Sequence, residues 1–443
     1  MHTATLEPTT SIVLPSSAAA RNAAAAPSLK RMHIVLLNQA FYPDVVATAQ
    51  MSKDLADYLA RRGHTVSAVA SRSIYGKSGA VLAKVEKIAV PGGSNPGAKG
   101  TITAHRVGFS IFGKRGTIAR LFDFGFFYLL AAFKLVTLPR PDIVIGFSTP
   151  PYIALLALFS RFFRGNKAVY WAMDLYPDVP VASGMLKPRG ALTRLLEWLH
   201  RRLVRTSDAT VVLGRCMEGR LLAKGLPRSK IHFIPVWSDE SGVHPIPRED
   251  NSVRASWHLG DAFTVMYSGN FGLGHDAETI KGAVLALKDR ADIRFVFVGG
   301  GKRRAEIEAF IKRHALTNAA YHDYVPRERL AQSLCVGDVH LISLREGMEG
   351  LIVPSKLFGI MAAARPALFI GHPDSEIARV LSENDAGVVI REGDVKLLTQ
   401  CIERLAADRP AAAAMGRRAR EALMGRYDAA TACEQWATML ESL

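Results

Sequence analysis

Cysteine is scarce in this chain. The four in 443 residues, Cys216, Cys335, Cys401 and Cys433, form no C-x-x-C pair. That excludes a zinc knuckle and a disulfide framework and leaves small core residues in a reducing, cytoplasmic setting. Acids are short too: 40 Asp and Glu stand against 56 Lys and Arg, a formal net charge of +16. Such an excess gathers anionic partners, whether nucleic acid, nucleotide phosphates or an acidic membrane face, and selects none of them. There is no H-E-x-x-H run, no G-x-x-x-x-G-K-S/T loop, no G-x-S-x-G elbow and no G-x-G-x-x-G fingerprint. No protein metal site, P-loop or nucleophile elbow is therefore expected, and a nicotinamide dehydrogenase has little support. A metal, where one takes part, would arrive with phosphates.

What is present is enough for two cores. With 49% hydrophobic residues the length exceeds one ordinary core, so two domains of roughly 200 residues are expected. Residues 1–30, including "SSAAARNAAAAPSLK", read as a disordered tail, with Met32 as a plausible working start. From Arg31 a strand, an amphipathic helix ending at Gly63 and a second strand make a β-α-β unit. The glycine- and proline-rich segment 72–100 reads as a long loop. Further apolar strands alternate with helical segments to residue 238, and the same grammar restarts after the Pro/Asp/Glu-rich stretch 239–250. The expectation is α/β: two facing Rossmann-like domains with mainly parallel sheets, 31–238 and 239–426, and a shared crevice at the carboxyl ends of the strands. The last segment, 427–443, is a helix that caps the second domain or crosses back to the first.

"IVPSKLF" places Pro354, Ser355 and Lys356 at a helix start. Proline is tolerated in the first turn, and Ser355 is a candidate cap. A cation among unpaired N–H groups is repelled by the helix dipole unless an anion offsets it. A diphosphate whose departure leaves negative charge suits that arrangement, and an ordinary helix start is the alternative. "YSGNFGLGHD" offers Gly269, Gly272 and Gly274 for close backbone approach or a tight turn, Asp276 as a helix cap, and His275 as a donor to phosphate or sugar, or else a solvent-facing loop residue. In "FVGGGKRR", Gly299 and Gly300 make room for a nucleotide, while Lys302, Arg303 and Arg304 read equally as a solvated helix face. Tyr324 and Val325 are candidate backbone contacts to a base. In "LREGMEGLI", Arg345 would neutralise phosphate, and Glu346 or Glu349 would accept ribose or sugar hydroxyls; a local surface ion pair is the competing reading. In the first half, Asp44 lies at the crevice mouth and Asp174 at a strand's carboxyl end. Asp174 is the first choice for orienting an acceptor or acting as base, with capping as the alternative.

The region 106–140 interleaves Phe109, Phe112, Phe122, Phe126, Phe127 and Phe133 with Arg106, Lys114, Arg115, Arg120, Lys134 and Arg140. Its apolar stretch, Phe124 to Phe133, falls well short of the roughly 20 residues that span hydrocarbon. Peripheral contact with an anionic membrane surface and a buried helix are the two readings. "LLALFSRFFRG" repeats the mixture and favours the first. Aromatic and basic residues here fall in helices and without a recognised motif, so no nucleic-acid partner is expected.

Taken in order, "NQAFYPDVVATAQMSKDLADYLARRGHTV", "WAMDLYPDV", "PVWSD", "YSGNFGLGHD", "FVGGG", "VPSKLFGIMAAARP" and "GVVIREGD" resemble the family 4 glycosyltransferases, especially bacterial colanic-acid-type and O-antigen sugar transferases. The resemblance covers about residues 32–440. It implies a GT-B architecture with the acceptor mostly on the first domain, the sugar nucleotide mostly on the second, and a final helix returning to the first. It further implies a retaining, metal-independent enzyme without a cofactor, using a UDP- or GDP-sugar and a lipid-diphosphate-linked saccharide at the inner face of the cytoplasmic membrane. Gly269, Gly272 and Gly274 match the family's donor-side glycine loop, and Ser355 and Lys356 its phosphate-side helix start. Glu349, with Glu346 competing, matches the first residue of its separated Glu pair. Gly359 or Lys356 stands where the later Glu belongs, and "GHD" replaces the usual basic residue after the glycine loop. Asp174 matches the acid of the branch's "DLYP". Two other readings are a sugar-nucleotide epimerase and a non-catalytic nucleotide-sugar-binding scaffold at the membrane.

Overall fold

The computed structural model describes residues 30–44, 46–74, 77–90, 100–108, 117–238 and 242–443. Its strands are β1 (His33–Leu37), β2 (Thr65–Ser71), β3 (Ser73–Ile74), β4 (Lys77–Val81), β5 (Val85–Ile88), β6 (Thr101–Val107), β7 (Ile143–Gly146) and β8 (Lys167–Ala172). They continue as β9 (Ala209–Val212), β10 (Ile231–Phe233), β11 (Phe263–Ser268), β12 (Ile293–Val298), β13 (Ala319–His322), β14 (Val339–Ser343), β15 (Ala367–Ile370) and β16 (Gly387–Ile390).

β3 and β4 form a two-stranded antiparallel sheet; of the two larger sheets, one runs β10-β9-β8-β7-β1-β2-β6-β5 and the other β13-β12-β11-β14-β15-β16. Every neighbouring pair in these two is parallel except β5, which joins β6 antiparallel at the edge. In each sheet the chain steps outward from its first strand, returns across it, and steps outward the other way. The order therefore reverses between β1 and β7, and again between β11 and β14. Loops at such reversals diverge to opposite faces and open a crevice beyond the strands' carboxyl ends.

Burial follows position. Strands β7, β9, β14 and β15 are buried throughout, as helices on both faces require, whereas β6 alternates buried residues with more exposed ones near the sheet edge. The loop expected over 72–100 is corrected in part. It contains β3, β4 and β5, because Val85 to Ile88 use the free edge of β6 to satisfy their backbone groups.

The last helix, Ala429–Glu441, starts two residues beyond the expected Tyr427. Asp428 caps it by accepting the Thr431 N–H at 2.8 Å. It packs along the helix Ala47–Arg61, where Arg62 pairs with Glu434 at 2.7 Å and Glu441 at 3.1 Å and the Tyr58 hydroxyl donates to Glu434. Its Trp436 is fully buried, with its ring centroid 4.4 Å from that of Trp171 on β8. Trp171 in turn lies 5.7 Å from Trp237 and 4.5 Å from Phe147. Among the described residues no helix is long and apolar enough to cross a membrane.

Candidate functional site

The carboxyl ends of β11 and β14 set the frame. Gly269 follows β11 with φ +117°, a conformation that favours glycine, and a β-carbon there would stand 3.8 Å from the Lys356 ammonium. The open backbone thus faces a cation. Lys356 begins the helix Lys356–Ala362, and its Nζ donates to the Tyr267 hydroxyl at 2.6 Å while lying 3.8 Å from the Tyr267 ring centroid. The hydroxyl in turn donates a hydrogen bond to the Asn270 carbonyl at 3.3 Å. Burial pushes the lysine's pKa down to about 7, so the charge it carries near neutral pH is ready to be stabilised by an anion.

His275 lies beside this pair, with its ring centroid 6.1 Å from that of Tyr267 and its Nδ1 against the Ser343 carbonyl. A carbonyl only accepts, so Nδ1 carries the proton. Burial first, then the Lys356 charge, lowers the imidazole pKa to about 3. The neutral ring presents Nε2 as an acceptor, which suits a sugar hydroxyl and not a phosphate oxygen.

A second ledge adjoins the first. Gly299 has φ +127°, and a β-carbon on it would lie 2.4 Å from the Gly269 carbonyl and 3.0 Å from Tyr324 Cε1. Only a glycine lets the loops after β11 and β12 touch. The exposed Tyr324 ring covers Gly299 and Gly300, with half-buried Val325 next to it. Arg303 is better buried than a solvated helix face would have it. Its side chain is 17% exposed and pairs with Glu306 at 2.9 Å, and its Nε is enclosed without a hydrogen-bond partner.

The first sheet reaches this site through backbone. Asp174 bridges Ile352, and the Leu175 N–H donates to the Leu351 carbonyl at 3.0 Å. The Asp174 N–H is held by Ser148 Oγ at 3.0 Å, and burial raises its carboxyl pKa to about 6. From the helix Arg215–Ala223, Arg220 donates to the Glu349 carbonyl at 2.7 Å and to its carboxylate at 3.1 Å. Glu376, almost wholly buried, binds Arg215 at 2.9 Å. Loops of the first and second sheets are thereby stitched together directly.

Gly269, His275, Lys356, Asp174 and Glu349 are the sequence candidates gathered along this seam. Gly272 and Gly274 complete the loop, the Gly274 carbonyl accepting the Arg345 N–H at 2.9 Å. Other candidates are engaged elsewhere. The Arg345 guanidinium lies 3.9 Å from Glu392, and the Glu346 carboxylate faces Arg391 at 3.7 Å, both half-exposed surface pairs. Asp44 is buried and accepts the Val46 N–H at 3.3 Å. Ser355 makes no side-chain cap: its backbone is already helical, which turns the hydroxyl off the first-turn N–H groups. Asp276 does cap the helix Glu278–Ala286, accepting from Glu278 and Thr279 at 3.1 and 3.2 Å. Sequence reasoning missed Tyr267 and Arg220. The first is the penultimate residue of β11, a position that could have signalled it; nothing local marks the second. Among the described residues, no group of three or more His, Cys, Asp or Glu is placed to hold a metal ion.

Comparison with known proteins decides the family. A model described as "Glycosyl transferase 4-like domain" matches residues 46–237, and one described as "Glycosyl transferases group 1" matches residues 262–408. The chain is a glycosyltransferase built from these two family domains. This glycosyltransferase is 32% identical over 271 residues to a probable glycosyltransferase, WbjE, of Pseudomonas aeruginosa; the match takes in 60% of this chain and 66% of that one. It is 24% identical over 375 residues to the putative colanic acid biosynthesis glycosyl transferase WcaI of Escherichia coli, 81% of this chain and 88% of that one. Among solved structures it is similar to Anabaena Alr3699/HepE in complex with UDP-glucose, with a TM-score of 0.68 at 13% identity over 93% of this chain and 100% of that one.

Proposed function

We propose that this glycosyltransferase moves a sugar, with retention at the anomeric carbon, from a UDP- or GDP-sugar to a lipid-diphosphate-linked saccharide at the cytoplasmic face of the membrane, in exopolysaccharide or O-antigen synthesis. The observation that carries the reading is the seam itself: the loop bearing Asp174 is hydrogen-bonded to the strand-like segment that leads into Lys356. The complex of HepE with UDP-glucose and the printed names of the two relatives support the donor class and the setting.

In this reading the anomeric C–O bond breaks toward the nucleoside diphosphate, whose new negative charge settles on Lys356 and the N–H groups opening its helix. Donor hydroxyls meet His275 Nε2 and Glu349. The base lies on the Tyr324 ledge. Asp174 orients the acceptor hydroxyl, which attacks from the departing side and passes its proton to a diphosphate oxygen. Incubating the protein with individual UDP- and GDP-sugars and lipid-diphosphate acceptors, then reading product mass and linkage, tests this. Sugar epimerisation, or donor binding without transfer across the panel, would contradict it.

A pH profile follows. Asp174 is neutral below about 6 and Lys356 loses its charge above about 7. The expected kcat/KM for donor is therefore a narrow bell, rising through the first value and falling through the second. Asp174→Asn should remove the acid limb, and Lys356→Arg should carry the alkaline limb out of range. A flat profile from pH 5 to 9 would deny both roles.

A further inference from the structure

The helix Thr117–Thr137 has only three charged residues, Arg120, Asp123 and Lys134, and buries one apolar side while leaving another uncovered. Phe127, Ala131 and Leu135 pack on the first sheet, while Phe122, Phe126, Leu129, Phe133 and Val136 form a stripe at helical spacing on the outside. Leu129 and Phe133 are 73% and 69% exposed. Arg106 and Phe127, for which the sequence left membrane contact and burial both open, are buried: Arg106 pairs with Glu86 at 2.6 Å. Phe109, Phe112, Lys114 and Arg115 lie outside the described residues, as does the Arg120 side chain.

Two neighbouring helices continue the stripe. On Leu155–Arg164, Ala157 and Ser160 face inward, whereas Phe159, Phe162 and Phe163 face out, Phe162 being 83% exposed. On Ala191–Thr206, which no sequence motif singled out, His200, Leu203 and Val204 face inward, and Leu192, Leu195 and Trp198 face out, the tryptophan 61% exposed. The three are stitched side by side. Arg164 donates to the Leu135 and Val136 carbonyls at 2.9 and 2.5 Å, Arg161 to the Thr206 carbonyl at 2.5 Å, and the Tyr152 hydroxyl to the Leu196 carbonyl at 3.1 Å. The face is therefore continuous across three helices.

Its charge is one-sided. The three helices carry Lys or Arg at eight positions and acids at two, Asp123 and Glu197. Asp123 is buried, and Glu197 is paired with Arg201 and Lys224. Two copies meeting through this face would bring like-charged rims together, whereas an anionic lipid surface meets the rims with opposite charge and the rings with hydrocarbon. We infer that these three helices form one docking face for an anionic bilayer, with Ala191–Thr206 as its unrecognised third element. The three helices follow β6, β7 and β8 of the first sheet in chain order, so docking would bring that sheet's half of the molecule to the lipid surface, where, on the reading proposed above, the acceptor resides.

Flotation with phosphatidylethanolamine–phosphatidylglycerol vesicles, against neutral phosphatidylcholine vesicles, tests this without reference to catalysis. The wild-type chain should float with the anionic vesicles and leave them as salt is raised. Phe162→Ser and Trp198→Ser should each weaken partitioning by about tenfold or more, and together by about a hundredfold. Thermal unfolding should be nearly unchanged in both, since each side chain is mostly exposed in the folded state. Transfer to an acceptor presented in detergent should be kept by the double variant, so a failure of the face and a failure of the proposed reaction read separately. Undiminished flotation of the double variant would overturn the inference. So would a dimer in solution that the same pair of substitutions dissolves, because a second copy would then be the occupant.

Discussion

Lys356→Ala is expected to lower kcat by ~10²–10³-fold with donor saturating, the range seen when one preorganised stabiliser of developing charge is removed. On the mechanism proposed above, that role falls to this lysine. Its Nζ has Tyr267 beneath it at 3.8 Å, the open backbone of Gly269 beside it, and burial alone as the cause of its lowered pKa. A charge kept in such a place is not there for stability. Because the folded-state pKa of about 7 lies below the ordinary lysine value of 10.5, the unfolded chain binds more protons between those two values. The folded state therefore gains stability as pH rises through that window. Lys356→Ala should lose that dependence and unfold no more easily than wild type at pH 7. Turnover measured beside a denaturation curve checks both halves. Lys356→Arg, which keeps a cation, should retain part of the rate, and an alanine variant with unchanged turnover would take the lysine out of the mechanism.

Trp436→Ala should have the largest effect on stability, about 3–5 kcal/mol, the usual cost of emptying an aromatic site in a packed core. Its indole is fully buried within the stack of Trp171, Trp237 and Phe147, and it is the residue that anchors the last helix against the first sheet. The midpoint of chemical denaturation measures the loss. An effect on catalysis should follow by a short route: Trp171 lies three residues before Asp174 on the strand that delivers the carboxylate to the seam. Turnover in Trp436→Ala should therefore fall under conditions where the protein is still folded. A destabilisation below 1 kcal/mol would mean that the helix is held by its Arg62 and Tyr58 contacts instead.

Much of the frame was legible because it rests on local signals. Apolar strands without alternation imply parallel sheets covered on both faces, and Gly63 and Asp276 punctuate helices in ways that backbone chemistry dictates, whereas Pro354 stands one residue ahead of the cap position and not in the first turn. The glycine runs after β11 and β12 were readable as places of close approach, and Gly269 and Gly299 do approach one another there. What the sequence hid is what depends on distant partners. Arg220 and Glu349 are separated by 129 positions, and the Lys356–Tyr267 contact by 89. The same limit explains why Arg345 and Glu346, attractive by type and spacing, are drawn to Glu392 and Arg391, which a local reading does not see. β5 was lost for a related reason: a sheet edge recruits a strand that its own sequence hardly marks. Likewise the outer stripe of Thr117–Thr137 is indistinguishable from a core helix until its uncovered side is seen.

The most direct test is a structure of the protein with the nucleoside diphosphate of its donor bound. The terminal phosphate should lie about 3 Å from Lys356 Nζ, over Gly269, with the base against Tyr324. Phosphates lodged elsewhere, with Lys356 still donating only to Tyr267, would contradict the account.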